Sequence, residues 1–331
     1  MDSRLAAKAA VQGGYFTRAD VFDSGYDDRD IRAAVRVGEW IRVRAGVYAP
    51  GDVWRTLSAE ERHQISTCAV VDRLGPDRVA VSHASACAKR GFALWDVDLT
   101  KVHVTRLDGG TGRNEYGVVH HVGDAVGERD LDLIDGRLYT RPLRCVWETS
   151  MDVSQRSGLV LMDSALRLGG VDREELECGA TMFRSWQGSR HVGLVVRLAD
   201  GDAESPGESL TRFVCFRFNL PKPTLQHEVF DDSGRLLART DFAWLEYAHV
   251  AEFDGKIKYG RLLRPGETAG NAVVREKRRE DRVRARALGM SRFIFGDVMP
   301  RQERHSADRL WSDLQQSRRL YLHNRTVIAV S

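Results

Sequence analysis

The residues best suited to chemistry are acids and lysines on two neighbouring segments in the last third of the chain. Asp241 lies in the first segment, and the second carries a charged side chain at every second position: Glu252, Asp254, Lys256 and Lys258. Because side chains alternate between the two faces of a strand, these four lie on one side if Gly255 introduces no bulge. Magnesium prefers oxygen ligands, which the carboxylates of this group would supply. The pattern therefore predicts a site for Mg²⁺ or Mn²⁺ formed by Asp241, Glu252 and Asp254.

A divalent ion in this place would support hydrolysis of phosphodiesters. It could polarise the phosphodiester and lower the pKa of a bound water, while a neighbouring lysine stabilised the charge growing on phosphorus. The alternative is an exposed strand face on which acids and bases neutralise one another. Apolar neighbours argue against that alternative, because they indicate the centre of a sheet, where an unpaired carboxylate costs several kcal/mol. These neighbours are Phe242, Trp244, Val250, Ala251 and Phe253.

The sequence around these acids predicts a small mixed sheet. A linker-like run at 199–207, rich in Asp, Gly and Pro, marks the start of a domain. Two helices and four strands follow in the order αβββαβ: Pro206–Phe218, Thr224–Phe230, Leu236–Trp244, His249–Phe253, Val273–Leu288 and Ser291–Phe295. That order suits a sheet with helices outside. We predict a domain at 199–300 and a helix and strand extension at 301–331.

The second predicted helix of this domain is strongly basic. Between residues 277 and 286 six of ten side chains are positively charged, and three of them are predicted DNA contacts: Lys277, Arg278 and Arg282. Each phosphate neutralised by such a residue contributes to affinity and to its salt dependence. A solvated helix face with internal ion pairs is the other interpretation.

The first 54 residues predict three short helices and a hairpin, with Gly and capping residues at the breaks. On the third helix, capped by Asp27, apolar residues share one face and arginines share another: Arg29, Arg32 and Arg36. The segment 40–48 alternates apolar and basic residues up to a glycine turn, so Arg42 and Arg44 are predicted on one side of the hairpin.

Three helices and a wing indicate a winged helix-turn-helix domain at 1–54 that binds double-stranded DNA. In such domains the third helix places its side chains at the major groove, and the hairpin contacts the backbone or the minor groove. We expect the three helix arginines and the two hairpin arginines to make these contacts.

Composition limits the remaining function classes. The chain has 331 residues, a net charge of +3, 42% hydrophobic and 29% charged residues, and no apolar run approaches the roughly 18 residues of a membrane helix. The amino terminus lacks the apolar core of a secretory signal, so a cytoplasmic location is expected. Of the 50 basic residues 43 are arginine, which either a GC-rich genome or phosphate recognition would explain.

The middle of the chain, 55–198, predicts an α+β domain without a recognisable site. The five cysteines are widely spaced, which offers neither a zinc site nor a disulfide framework, and they are interpreted as core residues. The histidines lack the spacing of metal ligands and are interpreted as structural: His83, His120, His121, His227 and His249. The whole chain is thus predicted as an α+β multidomain protein.

Two parts of the sequence resemble known families. The amino-terminal part resembles the winged-helix region of AbiEi-type antitoxins of bacterial type IV toxin-antitoxin systems, through Gly14–Arg18, Gly25–Tyr26, Ile31, Val35–Trp40 and Ala45–Tyr48. Two runs in the middle are similar to the second part of that family: Val81–Ala86 and Thr140–Arg144.

The carboxy-terminal part resembles the PD-(D/E)XK nuclease superfamily, in the branch of very-short-patch repair endonucleases. The matching positions are Glu208, Leu220–Pro223 with Gln226, Asp241–Phe242, Glu252–Lys256 and Glu276–Asp281. The resemblance implies a restriction-endonuclease-like mixed α/β sheet, with Asp241 and Glu252 as metal ligands, Glu208 as a supporting catalytic acid and a lysine as charge stabiliser.

The chain departs from the superfamily pattern at the lysine. The position two residues after the glutamate is Asp254, and Lys256 follows two further on, where it could serve instead. Glu208 also has a second interpretation, because Ser205–Glu208 has the pattern of a helix-capping box.

These observations give two hypotheses of different class. The favoured one is a DNA-binding protein with a metal-dependent endonuclease domain, acting in phage defence or DNA processing. The alternative is a non-catalytic AbiEi-like antitoxin or transcriptional repressor that binds its own operator, next to a toxin gene, and keeps the nuclease-like fold as a scaffold.

Overall fold

A computed structural model of the chain describes residues 2–122, 126–255 and 282–323. The chain divides into two compact units, the first formed by Met1–Leu161 and Leu168–Val196, the second by Met162–Arg167 and Arg197–Ser331. The boundary after Val196 lies two residues before the predicted one. The predicted segments 1–54 and 55–198 fall in one unit, except for residues 162–167 and 197–198, which belong to the other. None of the described helices is long and apolar enough to cross a membrane.

The first unit begins with three helices and a small antiparallel sheet, as the capping residues predict. The helices are α1 (Ser3–Gln12), α2 (Arg18–Asp23) and α3 (Asp28–Arg36). The strands β1 (Phe16–Thr17), β2 (Trp40–Arg44) and β3 (Val47–Pro50) form a sheet in the order β1-β3-β2. Thr17 and Asp27 are the N-cap residues of α2 and α3, and each takes part in a capping box that fixes where its helix begins.

An aromatic cluster forms the core of this amino-terminal part. The Phe16 and Trp40 rings meet edge to face with centroids 5.2 Å apart, and Tyr26 contacts Trp40 in the same way at 6.0 Å. Ile31 and Ala34 of α3 are buried in the same cluster. The packing therefore fixes which side of α3 faces inward.

The rest of the first unit combines a mixed sheet with helices. The helices are α4 (Gly51–Thr56), α5 (Ala59–Leu74), α6 (His83–Lys89), α7 (Pro142–Asp152), α8 (Gln155–Arg167), α9 (Arg173–Met182) and α10 (Ser189–Leu198). Of these, α8 and α10 end with residues that belong to the second unit. The strands are β4 (Val79–Val81), β5 (Val102–Arg106), β6 (Arg113–Glu115), β7 (Val118–His121), β8 (Leu131–Ile134) and β9 (Arg137–Thr140). Within the described residues these strands lie in the order β6-β7-β5-β4-β9-β8.

The second unit contains the predicted mixed sheet. Its strands are β10 (Thr224–Phe230), β11 (Leu236–Trp244), β12 (His249–Phe253) and β13 (Gly289–Phe293), in that order across the sheet. The first three are antiparallel neighbours, and β13 runs parallel to β12. The helices α11 (Pro206–Arg217) and α12 (Glu303–Ser317) belong to the same unit, so the predicted 301–331 extension contributes a helix to it.

One strand prediction needs correction. The strand carrying Glu252 ends at Phe253, as its pattern predicts, and Lys256 and Lys258 of the predicted charged face lie outside the described residues. The last strand is Gly289–Phe293 and not Ser291–Phe295, because the N–H of Ile294 donates to Asp297 Oδ2 and a 3₁₀ turn begins there. Most of the predicted basic helix lies outside the described residues.

His249 links three elements of the second unit through its ring. Ser291 Oγ donates to Asp313 Oδ2 at 2.7 Å and therefore accepts from His249 Nε2, 2.9 Å away. Nδ1 is then left to accept from Ser317 Oγ at 2.8 Å. The ring is buried in its neutral form, and burial lowers the pKa of His249 to about 4.

This histidine makes a testable contribution to the pH dependence of stability. An unfolded histidine takes up a proton near pH 6.5, whereas folded His249 does so only near its lowered pKa. The contribution is therefore present at neutral pH and is lost as pH falls from about 6.5 to about 4, by up to about 3 kcal/mol. Urea unfolding across this range should show a steeper loss for wild type than for His249→Gln. Equal slopes would contradict the assignment.

Candidate functional site

The outer face of α3 carries the predicted DNA-contacting arginines. Arg29, Arg32 and Arg36 are all exposed, while Ile31 and Ala34 are buried. Asp27 holds the start of the helix, because its Oδ1 accepts from the N–H groups of Arg29 and Asp30 at 2.6 and 3.0 Å. The structure thus presents the arginines together on one solvent-facing surface.

The two hairpin arginines do not lie together as the alternation predicts. The register between β2 and β3 shifts between Arg42 and Arg44, which is the mark of a β-bulge. Arg42 is exposed, whereas Arg44 is half-buried and donates from Nη2 to the backbone carbonyl of Tyr116. Arg44 therefore ties the hairpin to the loop before β7, and Arg42 remains the exposed cation of the pair.

In the second unit Asp241 and Glu252 lie on the two central strands of the sheet. Phe242 pairs with Ala251, and Asp241 and Glu252 are the next residues beyond this pair on the two strands. Asp241 Oδ2 accepts the N–H of Phe253 at 2.7 Å. The sheet therefore brings these two predicted ligands side by side.

Glu208, near the start of α11, is the third acid of this group. It is buried and accepts three hydrogen bonds, from the N–H of Glu204 (2.9 Å), from Ser205 Oγ (2.7 Å) and from Gln226 Nε2 (2.8 Å). Burial raises the pKa of its carboxyl, and the negative charge of Asp241 raises it further. Glu208 thus takes part in the helix cap and also lies within the electrostatic reach of Asp241.

A cation that the sequence reasoning missed lies on the far side of Glu252. Arg292 of β13 pairs in register with Glu252, and its Nη2 lies 3.8 Å from Glu252 Oε2. Only the parallel pairing of β12 and β13 reveals this neighbour, since the two residues are 40 positions apart in the sequence.

The other predicted residues of the second unit are placed as follows. Asp254 lies just beyond β12, where its N–H donates to the carbonyl of Phe293 at 2.7 Å. Arg282 is exposed. Three predicted residues lie outside the described ranges: Lys256, Lys277 and Arg278.

A second group of metal-binding side chains is present in the first unit. Within the described ranges, His83, His103 and His121 are the one group of three or more such side chains whose ligand atoms all lie within 4.8 Å of one another. The ligand atoms of Asp241, Glu252 and Glu208 in the second unit do not all lie within 4.8 Å of one another. Sequence spacing could not reveal the histidine group, because its members come from three separate elements.

The cysteines are mostly core residues, as predicted, and all five are free thiols. Cys87, Cys145 and Cys215 are buried, and Cys68 is half-buried. Cys178 departs from the prediction because it is exposed on α9.

Comparison with known proteins relates both the amino-terminal part and most of the chain to other sequences. Residues 3–51 match the family described as transcriptional regulator, AbiEi antitoxin. Two uncharacterized proteins of Mycobacterium tuberculosis, Rv2248 of strain H37Rv and MT2308 of strain CDC 1551, are each 30% identical to this chain over 261 residues, which cover 74% of this chain and 90% of the relative. The chain belongs to the family of these mycobacterial proteins. Within this family member, residues 3–51 form the AbiEi-type regulator domain, which contains all of α3.

The cap of α3 gives a prediction for this domain. Replacing Asp27 by Ala removes the acceptor of two backbone N–H groups and should lower the free energy of unfolding by about 1 kcal/mol. Asp27→Asn is the matched control, because Asn caps a helix about equally well and should stay within a few tenths of a kcal/mol of wild type. Urea unfolding measures both. Equal stability of the Ala and Asn variants would show that the cap does not hold α3.

Proposed function

We propose that this protein is a transcriptional regulator whose amino-terminal domain binds double-stranded DNA as a winged helix-turn-helix. The observation that carries the proposal is the surface of α3, where Arg29, Arg32 and Arg36 are exposed on a helix whose opposite side is buried. The match of residues 3–51 to a family of transcriptional regulators supports the same function.

The chemistry of these side chains fits both parts of DNA recognition. An arginine guanidinium can donate two hydrogen bonds to the O6 and N7 atoms of guanine in the major groove, or bind phosphate oxygens. In the proposed complex α3 enters the major groove, and Arg42 of the hairpin binds the sugar-phosphate backbone. The proposed target is the operator of the protein's own gene and of a toxin gene beside it, as for an antitoxin that represses its own expression.

Substitution of the α3 arginines tests this proposal. With a duplex from the region upstream of the gene, Arg29→Ala/Arg32→Ala/Arg36→Ala should weaken binding by about 100-fold or more, because base contacts of this kind contribute about 1–3 kcal/mol each. Each lost phosphate contact should also make the slope of log affinity against log salt less negative by about 0.9. Fluorescence anisotropy over a range of salt concentrations measures both quantities.

Arg4→Ala is the matched control for this experiment. Arg4 is an exposed arginine on α1, so its loss removes one positive charge from the same domain, as each α3 substitution does when made alone. If Arg4→Ala lost as much affinity as each single α3 variant, only net charge would matter, and the proposed role of α3 would be wrong.

A second function is favoured by the side-by-side position of Asp241 and Glu252. We propose that the second unit is an endonuclease-like domain that hydrolyses DNA phosphodiesters with Mg²⁺ or Mn²⁺. Two carboxylates suit magnesium, which commonly binds proteins through one or two carboxylates and keeps several waters. The wider spacing of the three acids is compatible with a partly hydrated ion of this kind.

The residues proposed to hold the ion are Asp241 and Glu252, with Asp254 at the end of β12 as a further oxygen donor. A bound Mg²⁺ would act as a Lewis acid at the phosphodiester. Among the protein groups, Glu208 holds the start of α11 beside the site and adds negative charge there. Arg292 places a positive charge next to Glu252, and Lys256 is the proposed stabiliser of charge on phosphorus.

Isosteric substitutions test the nuclease proposal. Asp241→Asn and Glu252→Gln keep the size of each side chain but remove the charge that binds a metal, so each should abolish cleavage of duplex DNA in the presence of Mg²⁺ or Mn²⁺. Binding of the same duplex should not change. Agarose gels of plasmid nicking give the readout.

Glu246→Gln serves as the control, because Glu246 is an exposed acid between β11 and β12. Wild-type protein that fails to cleave with either metal would contradict the nuclease proposal and leave the DNA-binding proposal intact. Cleavage that persists in both site variants would contradict it as well.

A further inference from the structure

Three histidines from separate elements converge in the first unit, and neither proposal above uses them. His83 is the first residue of α6, His103 lies on β5 and His121 is the last residue of β7. His103 and His121 are half-buried and His83 is buried. None of them belongs to the AbiEi-type match at residues 3–51.

Sheet geometry explains why these rings meet. The strands β5 and β7 are parallel neighbours, and His103 pairs with Val119 while Thr105 pairs with His121. Residues two apart on a strand share a face, so His103 and His121 point to the same side of the sheet. The N–H of Ser82 donates to the carbonyl of His103 at 3.1 Å, which brings the start of α6 beside them.

The separation of two ring nitrogens in this group is close to that of two ligands of one metal ion. His103 Nδ1 and His121 Nε2 are hydrogen-bonded at 3.0 Å. Two nitrogens bound to one tetrahedral zinc ion are separated by about 3.3 Å when each Zn–N bond is about 2.0–2.1 Å, so a bound ion would replace this hydrogen bond with little change in the distance. The His83 and His121 rings are stacked with centroids 3.5 Å apart. Neutral imidazole is the form that binds a metal.

His83 is oriented as metal-binding histidines are. Its Nδ1 lies 3.0 Å from Ser82 Oγ and 3.5 Å from Glu148 Oε2, and Glu148 in turn is held by Arg144 Nε at 2.8 Å. A histidine bound to a metal commonly donates its other ring N–H to a carboxylate or another oxygen. The Nε2 atom of His83, on the other side of the ring, lies 3.8 Å from Asp152 Oδ2.

A pocket of about 240 Å³ adjoins the group and is lined by His83 and His121, together with Glu148, Asp152 and Thr105. The cavity therefore has polar groups for a molecule that occupies an open metal position.

We propose that His83, His103 and His121 bind a divalent transition-metal ion, with zinc as the best match, and that its fourth position opens to this pocket. Three histidines and one open position form a common zinc arrangement in proteins that use the metal for chemistry. Imidazole nitrogen suits zinc and its neighbours among the transition metals, whereas magnesium and calcium prefer oxygen. This site is separate from the proposed magnesium site, which consists of carboxylates in the other unit.

The experiment uses the full chain freed of metal with a chelator and then titrated with zinc. Calorimetry should show one zinc ion per chain, and saturating zinc should raise Tm by about 5 °C or more. His103→Gln and His121→Gln should each weaken zinc binding by more than about 100-fold. His305→Gln is the matched control, because His305 is exposed on α12, and it should bind zinc as wild type does.

Cobalt provides a test that does not require any variant to fold. The wild-type chain loaded with Co²⁺ should show the visible absorption of tetrahedral nitrogen and oxygen ligation without a thiolate charge-transfer band. A thiolate band would place the metal on a cysteine such as the exposed Cys178 and overturn the proposal. So would the absence of zinc binding by wild type, or unchanged zinc affinity in both histidine variants.

Discussion

The proposed DNA-binding surface depends on how one side of α3 packs against an aromatic cluster. Ile31 and Ala34 are three positions apart and therefore share a face of the helix. Their burial among Phe16, Trp40 and Tyr48 leaves the helix little rotational freedom, since interior side chains are close-packed and a turn of the helix would expose apolar area and open voids. Because the arginines occupy the remaining faces, they are held outward by the same packing that stabilises the domain.

A different constraint applies to the second unit: the free-energy cost of holding acidic side chains close together in and beside its sheet. Asp241 receives a backbone N–H and Glu208 receives three hydrogen bonds, yet the charge of Asp241 still raises the pKa of Glu208. Arg292 places a positive charge 3.8 Å from Glu252, the acid on the neighbouring strand. An arrangement that keeps like charges close at an energetic cost is typical of functional sites.

Much of the fold follows from local sequence signals. The three strands Thr224–Phe230, Leu236–Trp244 and His249–Phe253 have the bounds that their patterns predict, because the alternation matches the faces of a half-buried sheet. The capping residues Thr17 and Asp27 likewise mark the starts of α2 and α3, since an N-cap acts within one helical turn.

Features that depend on distant pairing were not predictable in this way. The bond from Arg44 to Tyr116, the neighbour Arg292 of Glu252 and the group of three histidines all join segments that are far apart in sequence. Spacing rules for metal ligands work when two ligands share a helix or a turn, whereas His83, His103 and His121 meet only after β4, β5 and β7 have paired.

Photocrosslinking from α3 to DNA tests the central claim most directly. Ala33 is exposed and lies on the solvent side of α3 near the three arginines, whereas Val11 is 86% exposed on α1. With a photoreactive amino acid placed at each position in turn, position 33 should crosslink to the upstream duplex and position 11 should not. Crosslinking from position 11 without any from position 33 would contradict the account.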